Sequence, residues 1–194
     1  TFTQNFDAGL TIPACWRRIG NLGTVTVQTT GNASTPNCLN INSTSATAQA
    51  VIAMPSIINA SAGTHWLKFK ARSSSTVGGV IEVGYLTDIN NANSFVSVQS
   101  FTTTSTTVYS NFTAFLGTSP GTNQNIAFRH SGVPSSNVLI DDVSWEAVPA
   151  CAEPLVINVS AITQTASTVS WTAAVTVPSN GYEYFVSTNN SAPS

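Results

Sequence analysis

Apolar residues alternate with polar ones along most of this 194-residue chain, and no segment sustains the 3.6-residue period of an amphipathic helix. Such alternation predicts β-strands with one buried face, and clusters of Gly, Pro, Asn and Ser separate these strands. Eight segments show the pattern at nearly regular spacing, which predicts an all-β protein that begins with an antiparallel jelly-roll β-sandwich. The predicted strands are 24–30, 48–58, 65–73, 80–88, 94–101, 106–116, 125–131 and 138–147.

The surface of the predicted sandwich carries little charge. Charged residues make up 7% of the chain, against about 25% in an average globular protein. Hydroxyl and amide side chains then supply most of the solvated surface, which is typical of secreted adhesive or sugar-binding modules. With 6 Lys and Arg in total, a phosphate backbone finds too few partners, and nucleic acid is excluded. No apolar run reaches the roughly 18 residues that span a bilayer. From the charge-poor, hydroxyl- and amide-rich composition we expect a secreted or cell-surface protein.

The predicted strand 65–73 carries half of the basic residues of the chain on one face. Alternation directs its apolar side chains to the core and the remaining side chains to the opposite face, namely Trp66, Lys68, Lys70 and Arg72. One interpretation is a ligand platform, with an aromatic ring and donors for sugar hydroxyls or an acidic polymer. The other is a solvated outer face whose tryptophan covers a sheet edge.

Two adjacent aspartates, Asp141 and Asp142, interrupt the apolar pattern of the last predicted strand. Under strict alternation the apolar side chains before and after them would point to opposite faces, although both sets need the core. The alternation of side-chain direction must therefore shift by one residue at the aspartates, and a β-bulge produces such a shift. The two apolar sets are Val138 with Ile140, and Val143 with Trp145.

Two carboxylates at a bulge repel each other unless a cation or hydrogen bonds compensate their charge. Calcium takes roughly 6–8 oxygen ligands, including carboxylates, amides and backbone carbonyls. The N-terminal residues Asn5 and Asp7 would reach this point if the first and last strands pair. The sequence thus predicts a structural Ca²⁺ at Asp7, Asp141 and Asp142, and the alternative is one aspartate capping backbone N–H groups while the other is solvated.

The three cysteines are compatible with an oxidising compartment. Cys15 with Cys38 is the preferred disulfide, because both lie within the first predicted domain. Cys15 with Cys151 is a second option, since the terminal strands of sandwich folds often lie side by side, and Cys151 could also pair beyond this chain. Three buried free thiols are the third option.

No catalytic constellation stands out in the sequence. The 8 acidic residues are scattered, and nothing marks a pair such as Glu82 with Asp141 as the facing carboxylates of a glycosidase. His65 and His130 have no nucleophile motif near them. We therefore expect a protein that is not an enzyme.

The segment 149–154, "PACAEP", is predicted to be a linker because it combines two prolines with small residues and has no period. Beyond it the alternation resumes with the spacing of an immunoglobulin-like sandwich, in which Trp171 would be a core residue. We expect this second domain, 155–194, to be incomplete, because such a sandwich needs roughly 100 residues. The jelly roll would then span residues 1–148.

Several stretches occur in the order of a known module: "FTQNFDAGLTIPACW", "HWLKFKARS", "VIEVGYLTDINNANSFVSVQSF", "IAFRHS" and "VLIDDVSWE". In these stretches the chain resembles the MAM-like modules of secreted Bacteroidetes proteins, also called cleaved-adhesin or choice-of-anchor J domains. The resemblance covers residues 1 to about 148, and the remainder resembles the start of a fibronectin type III domain. The loop "GNASTPNCLN", which contains Cys38, departs from the pattern.

The resemblance implies a non-catalytic adhesion or carbohydrate-binding module of a larger multidomain protein, at the cell surface or released from it. Its partner would be a polysaccharide, a surface glycan or a surface protein. Related carbohydrate-binding jelly rolls hold a structural calcium between an N-terminal acidic residue and aspartates of the final strand, which here are Asp7 and Asp141 or Asp142. The alternative is a structural spacer, a stalk or a surface-filament domain without a ligand of its own.

Overall fold

Antiparallel strands dominate the computed structural model, which describes residues 1–123, 125–132, 134–150, 154, 156–174 and 177–184. The chain divides into two compact units, Thr1–Ala147 and Val148–Ser194. The first unit contains two antiparallel sheets that form a sandwich, which confirms the all-β prediction. Within the described ranges, no helix is long and apolar enough to cross a membrane.

The strands of the first unit are three to ten residues long, and a single-turn 3-10 helix, Ala92–Ser94, lies between two of them. In chain order they are β1 (Phe2–Gln4), β2 (Arg17–Ile19), β3 (Thr24–Gln28), β4 (Cys38–Asn42), β5 (Val51–Ala53), β6 (His65–Ser73), β7 (Val80–Leu86), β8 (Phe95–Thr102), β9 (Ser110–Ala114), β10 (Ile126–His130) and β11 (Val138–Ala147).

The two sheets differ in their strand order. The six-stranded sheet runs β3-β4-β11-β6-β9, and its sixth strand, β1, pairs with β11. Because β4 pairs with 138–140 and β1 with 143–145, these two strands follow one another along the same edge of β11. The five-stranded sheet runs β2-β5-β10-β7-β8. The chain termini of the first unit thus meet in one sheet, as β1 and β11.

The main core lies between the two sheets and follows from the alternation of each strand. Leu67, Phe69 and Ala71 of β6 point into this core, as predicted. Phe69 meets Phe128 of β10 edge to face, with ring centroids 5.1 Å apart, which is a favoured arrangement for aromatic pairs.

The predicted bulge in the last strand is confirmed. The register between β11 and β6 shifts between Asp141 and Ser144, and Asp142 has a φ of 48°, in the left-handed region that few non-glycine residues adopt. The bulge turns the apolar residues on both sides of it into the same core: Val138, Ile140, Val143 and Trp145.

Strands with strong alternation were predicted best. The observed bounds of β6 and β11 equal the predicted ones, while the other six predicted strands are shorter or shifted. The prediction omitted β1, β2 and β4. The first two have three residues each, too few to display a period, and β4 does not alternate because its first four residues are all buried.

The predicted disulfide between Cys15 and Cys38 is wrong, because both thiols are free. Cys15 is exposed at a turn with a φ of 70°. Cys38 is fully buried, and its Sγ lies 3.5 Å from the carbonyl oxygen of Thr30. Burial raises the pKa of the Cys38 thiol, which makes it an unreactive part of the packing. Cys151, the partner in the alternative pairing, lies outside the described residues.

The second unit contains a two-stranded antiparallel sheet, β12 (Val156–Ser160) with β13 (Thr168–Thr172). Ile157 faces Trp171 across this sheet. Trp171 is 40% exposed, and its ring meets that of Tyr182 edge to face. Trp171 is thus not enclosed by the described part of this unit. Half of the predicted linker, residues 151–153, also lies outside the described residues.

His130 is a fully buried histidine that ties three backbone segments together. Its Nδ1 accepts hydrogen bonds from the backbone N–H groups of Ser43 (3.2 Å) and Gly132 (3.0 Å). The ring proton therefore lies on Nε2, which donates to the carbonyl of Ser136 at 2.8 Å. Burial lowers the pKa of His130, and the bond to Ser136 opposes this only in part.

This environment predicts an acid-sensitive fold. Because the pKa of His130 is lower in the folded state than in the unfolded chain, its contribution to stability is complete above a pH of about 6.5 and is lost as the pH falls through the folded value. The free energy of unfolding should fall by up to about 1.4 kcal/mol per pH unit in that window. His130→Gln keeps an acceptor and should flatten this slope. Equal slopes for wild type and His130→Gln in urea unfolding would contradict this role.

Candidate functional site

The predicted ligand face of β6 lies on the outside of the six-stranded sheet, but its tryptophan is covered. Trp66 is 2% exposed. Its Nε1 donates to Oε1 of Glu146 at 3.2 Å, and Nζ of Lys68 lies 4.3 Å from the ring centroid. The predicted role of Trp66 as an open aromatic platform is therefore wrong, because the side chain is buried and Lys68 lies over its ring.

Two cations of the same face form ion pairs with β11. Lys68 contacts Glu146 and Lys70 contacts Asp142, each at 2.8 Å between the nitrogen and oxygen atoms. The hydrogen bond from Lys68 lowers the pKa of Glu146, and the one to Asp142 raises the pKa of Lys70. Since partly exposed pairs of this kind contribute about 0–1 kcal/mol, their main effect is to hold the two ammonium groups in fixed positions.

Arg72, the third cation, anchors a loop. Its guanidinium donates to the carbonyl oxygens of Gly31, Ser73 and Thr106 and lies 5.3 Å from the ring centroid of Tyr109. The Tyr109 hydroxyl also donates to Gly31, and burial raises the pKa of this tyrosine. Gly31 has a φ of 79° and leaves no room for a Cβ beside Arg72. Arg72 therefore fixes the loop before β4 onto the sheet.

Asp141 binds backbone amides through both of its carboxylate oxygens. Oδ2 accepts from the N–H groups of Ala33 (2.8 Å) and Ser34 (2.9 Å), and Oδ1 accepts from that of Asp142 (2.8 Å). The side chain is fully buried. Burial raises the pKa of Asp141, and the three N–H groups oppose this shift. Asp141 thus caps backbone N–H groups, which was the predicted alternative to its role as a calcium ligand.

The three aspartates predicted to share a calcium ion face different partners. Asp141 faces the amides of the loop, and Asp142 pairs with Lys70 on the outer face. Asp7 accepts through Oδ1 from the backbone N–H of Asn37 at 2.9 Å. In the part of the chain that the structure describes, no three His, Cys, Asp or Glu side chains are grouped to hold a metal ion. The three carboxylates thus do not fit one common calcium site.

A different set of oxygens converges beside Asp7. The side-chain Nδ2 of buried Asn37 donates to the carbonyl oxygens of Phe6, Asp7 and Gly9, each at 3.3 Å. Three carbonyls and a neighbouring carboxylate are the hard oxygen ligands that calcium prefers. A half-turn of the Asn37 amide would replace its Nδ2 by Oδ1 and add a further oxygen to this set.

An open groove of about 400 Å³ lies beside the bulge, along the paired strands β1 and β11. Thr3 of β1 is in register with Ser144 of β11, which is in register with Lys68 of β6. Their polar side chains therefore form a row across three strands, and Asp142 with its partner Lys70 stands at the end of the groove. The groove is lined by Thr3, Gln4, Asn5, Asp142, Val143 and Ser144.

Glu82 and Asp141, the acidic pair considered above for a glycosidase, lie in different sheets. Asp141 belongs to the six-stranded sheet, whereas Glu82 of β7 lies in the five-stranded one and accepts from Nε of Arg129 at 2.7 Å. This ion pair was missed from the sequence. Alternation in "VIEVGYL" shows that Glu82 points away from the core, but its partner depends on the register between β7 and β10.

Solved structures with a similar fold come from two kinds of module. The K1 cleaved adhesin domain of Lys-gingipain from Porphyromonas gingivalis W83 is 19% identical, with a TM-score of 0.58 over 75% of this chain and 97% of that domain. The CBM22-1 xylan-binding domain of Paenibacillus barcinonensis Xyn10C is 12% identical, with a TM-score of 0.52 over 77% of this chain and 95% of that one. This chain has their β-sandwich fold.

A third solved structure extends the likeness. The family 22 carbohydrate-binding module of Clostridium thermocellum Xyn10B is 10% identical, with a TM-score of 0.54 over 75% of this chain and 92% of that one. No model of a known protein family and no curated protein matches the chain. The resemblance to cleaved-adhesin jelly rolls is confirmed at the level of fold, and the fibronectin type III assignment stays a prediction.

The two aspartates of the bulge should differ strongly in their effect on stability. Asp141→Asn removes the charged acceptor of three N–H groups and should lower the free energy of unfolding by about 3 kcal/mol, since each unsatisfied buried group costs roughly 1–3 kcal/mol. Asp142→Asn removes one partly exposed ion pair and should cost about 1 kcal/mol or less. Chemical denaturation of both variants measures the difference. Equal losses would contradict the assignment of Asp141 as the buried cap.

Proposed function

We propose that residues 1–148 form a non-catalytic, extracellular carbohydrate-binding or adhesion module of a larger secreted or surface protein. The groove of about 400 Å³ beside the bulge carries this proposal. It combines hydroxyl, amide and carboxylate side chains with two fixed ammonium groups at its side. Sugar hydroxyls both donate and accept hydrogen bonds, and such a mixed lining can satisfy both roles.

The ligand face predicted on β6 contributes to this groove in two ways. Lys68 and Lys70 supply donors at its side, each held by a carboxylate of β11. Trp66 lies beneath Lys68, and Arg72 fixes the adjacent loop, so these two residues support the face. Side chains directly opposite on paired strands stand about 4.5–5.5 Å apart, which allows one sugar ring to contact Thr3 and Ser144 together.

The fold likeness supports the same class of function, since it includes an adhesin domain and a xylan-binding domain. The low charge and the Ser-, Thr- and Asn-rich surface support an extracellular setting. A spacer or filament domain without a ligand is the alternative function. It requires no polar groove, and the row of Thr3, Ser144 and Lys68 therefore favours binding.

Carbohydrate binding in the groove predicts a specific loss on removal of its hydroxyls. We expect the chain to bind at least one polysaccharide of an array of plant, bacterial and host glycans that includes xylan. The double variant Thr3→Val with Ser144→Ala keeps the side-chain volumes and should weaken that binding at least tenfold in calorimetry. The exposed turn variant Thr122→Ala serves as the matched control and should bind like wild type. No binding to any glycan at millimolar concentration would favour the spacer function instead.

We also propose that a structural calcium ion binds at the N-terminal loop rather than between the bulge aspartates. The carbonyls of Phe6, Asp7 and Gly9, the Asp7 carboxylate and the rotated amide of Asn37 would hold it. The convergence of these oxygens on one buried side chain supports the proposal. The ion would fasten the segment after β1 to the segment before β4, and it would stabilise the fold without taking part in chemistry.

The calcium proposal predicts a metal-dependent melting temperature. EDTA should lower the melting temperature of the chain by several degrees, and Ca²⁺ but not Na⁺ should restore it. Asp7→Asn should abolish this response because it removes the carboxylate of the loop. Asp142→Asn should retain the response because Asp142 pairs with Lys70. A melting temperature that EDTA leaves unchanged would overturn the proposal.

A further inference from the structure

An arginine on the outer face of the five-stranded sheet is held as a rigid donor. Arg129 of β10 is in register with Glu82 of β7, and its Nε donates to Oε2 of Glu82 at 2.7 Å. Both side chains are mostly buried, with 20% and 14% of their surface exposed. The guanidinium carbon also lies 4.4 Å from the ring centroid of Phe95. One contact fixes the Nε side of the guanidinium and the other fixes its flat face.

The far end of this guanidinium carries its two terminal nitrogens, Nη1 and Nη2. Among the described residues, no hydrogen-bond partner contacts Nη1 or Nη2 of Arg129, and Glu82 occupies only the Nε position. Two parallel N–H groups at the end of a guanidinium match the two oxygens of a carboxylate and bind it through paired hydrogen bonds. We call these two N–H groups the Arg129 fork. Because the guanidinium is already fixed, the fork loses less conformational entropy when it binds a carboxylate.

Arg129 lines a cavity of about 130 Å³ on this face, together with other polar and with apolar side chains. The Gln49 amide is fixed there, because its Nε2 donates to the carbonyl of Ser131 at 3.0 Å. Its Oε1 can act as an acceptor. Leu22 and Ala92 offer apolar contacts suited to the C–H groups of a sugar ring. The lining consists of Leu22, Thr47, Gln49, Val51, Ala92, Asn93 and Arg129.

We propose that this cavity binds the carboxylate-bearing ring of an acidic saccharide, a uronic acid unit. The Arg129 fork would bind the carboxylate, Gln49 and Thr47 would bind ring hydroxyls, and Leu22 would cover the apolar face of the ring. The cavity is on the five-stranded sheet and the groove is on the six-stranded one. This second site goes beyond the proposed function of the groove, and the two proposals can be tested independently of each other.

Titration with oligogalacturonate against the neutral galactose oligomer of equal length tests the assignment. The wild-type chain should bind the acidic oligomer at least tenfold more tightly than the neutral one. Arg129→Gln should remove this preference. Arg17→Gln, which removes an exposed cation of the same sheet but outside the cavity, is the matched control and should keep it. The groove variant Thr3→Val with Ser144→Ala should keep it as well, so that failure of one site is distinguishable from failure of the other.

A second variant separates binding from folding, because Arg129→Gln leaves Glu82 buried without its partner. Leu22 is 47% exposed, and Leu22→Trp would fill the cavity while leaving the ion pair intact. It should weaken binding of the acidic oligomer at least tenfold without lowering the melting temperature. Equal binding of the acidic and neutral oligomers, or full binding by Leu22→Trp, would overturn the proposal. Displacement of the oligomer by an oligoglutamate peptide of equal charge at equal concentration would overturn the saccharide assignment.

Discussion

The buried carboxylate of Asp141 is the interaction on which the geometry of the first unit depends. It lies at the one point where β11 changes its strand partner, between the end of its pairing with β4 and the start of its pairing with β1. The backbone amides of Ala33 and Ser34 converge on it from the loop before β4. A buried charge persists only where hydrogen bonds replace its hydration, and these amides provide them. The loop and the strand therefore have one favourable arrangement.

The bulge at this carboxylate determines what each side of the sheet presents. It keeps the apolar residues before and after it in one core, and it turns Asp142 outward to Lys70. The groove begins at the same point, because β1 joins the sheet only beyond the bulge. The bulge, which the core requires, thus also shapes the groove that is proposed to bind a carbohydrate. Backbone strain at Asp142, with its φ of 48°, accompanies this arrangement.

The alternation of neighbouring residues was enough to predict the two longest strands and the bulge. The side-chain contacts depend instead on which strands pair. The period of two gave the bounds of β6 and β11, and the slip of phase at Asp141 gave the bulge, since both depend on neighbours in the sequence. The burial of Trp66 could not be predicted, because it depends on Lys68 folding over the ring beside Glu146 on another strand. The free thiol of Cys38 and the ion pair of Arg129 likewise depend on which strands become neighbours.

Amide hydrogen exchange at Ala33 and Ser34 tests the central claim most directly. Both residues lie in a loop, where amides ordinarily exchange quickly, but their N–H groups are bound to a buried carboxylate in this structure. We expect both amides to exchange as slowly as those of the central strand β11, and more slowly than the amides of exposed turns such as that of Thr122. Exchange at the rate of those exposed turns would contradict the role of Asp141 as the anchor of the fold.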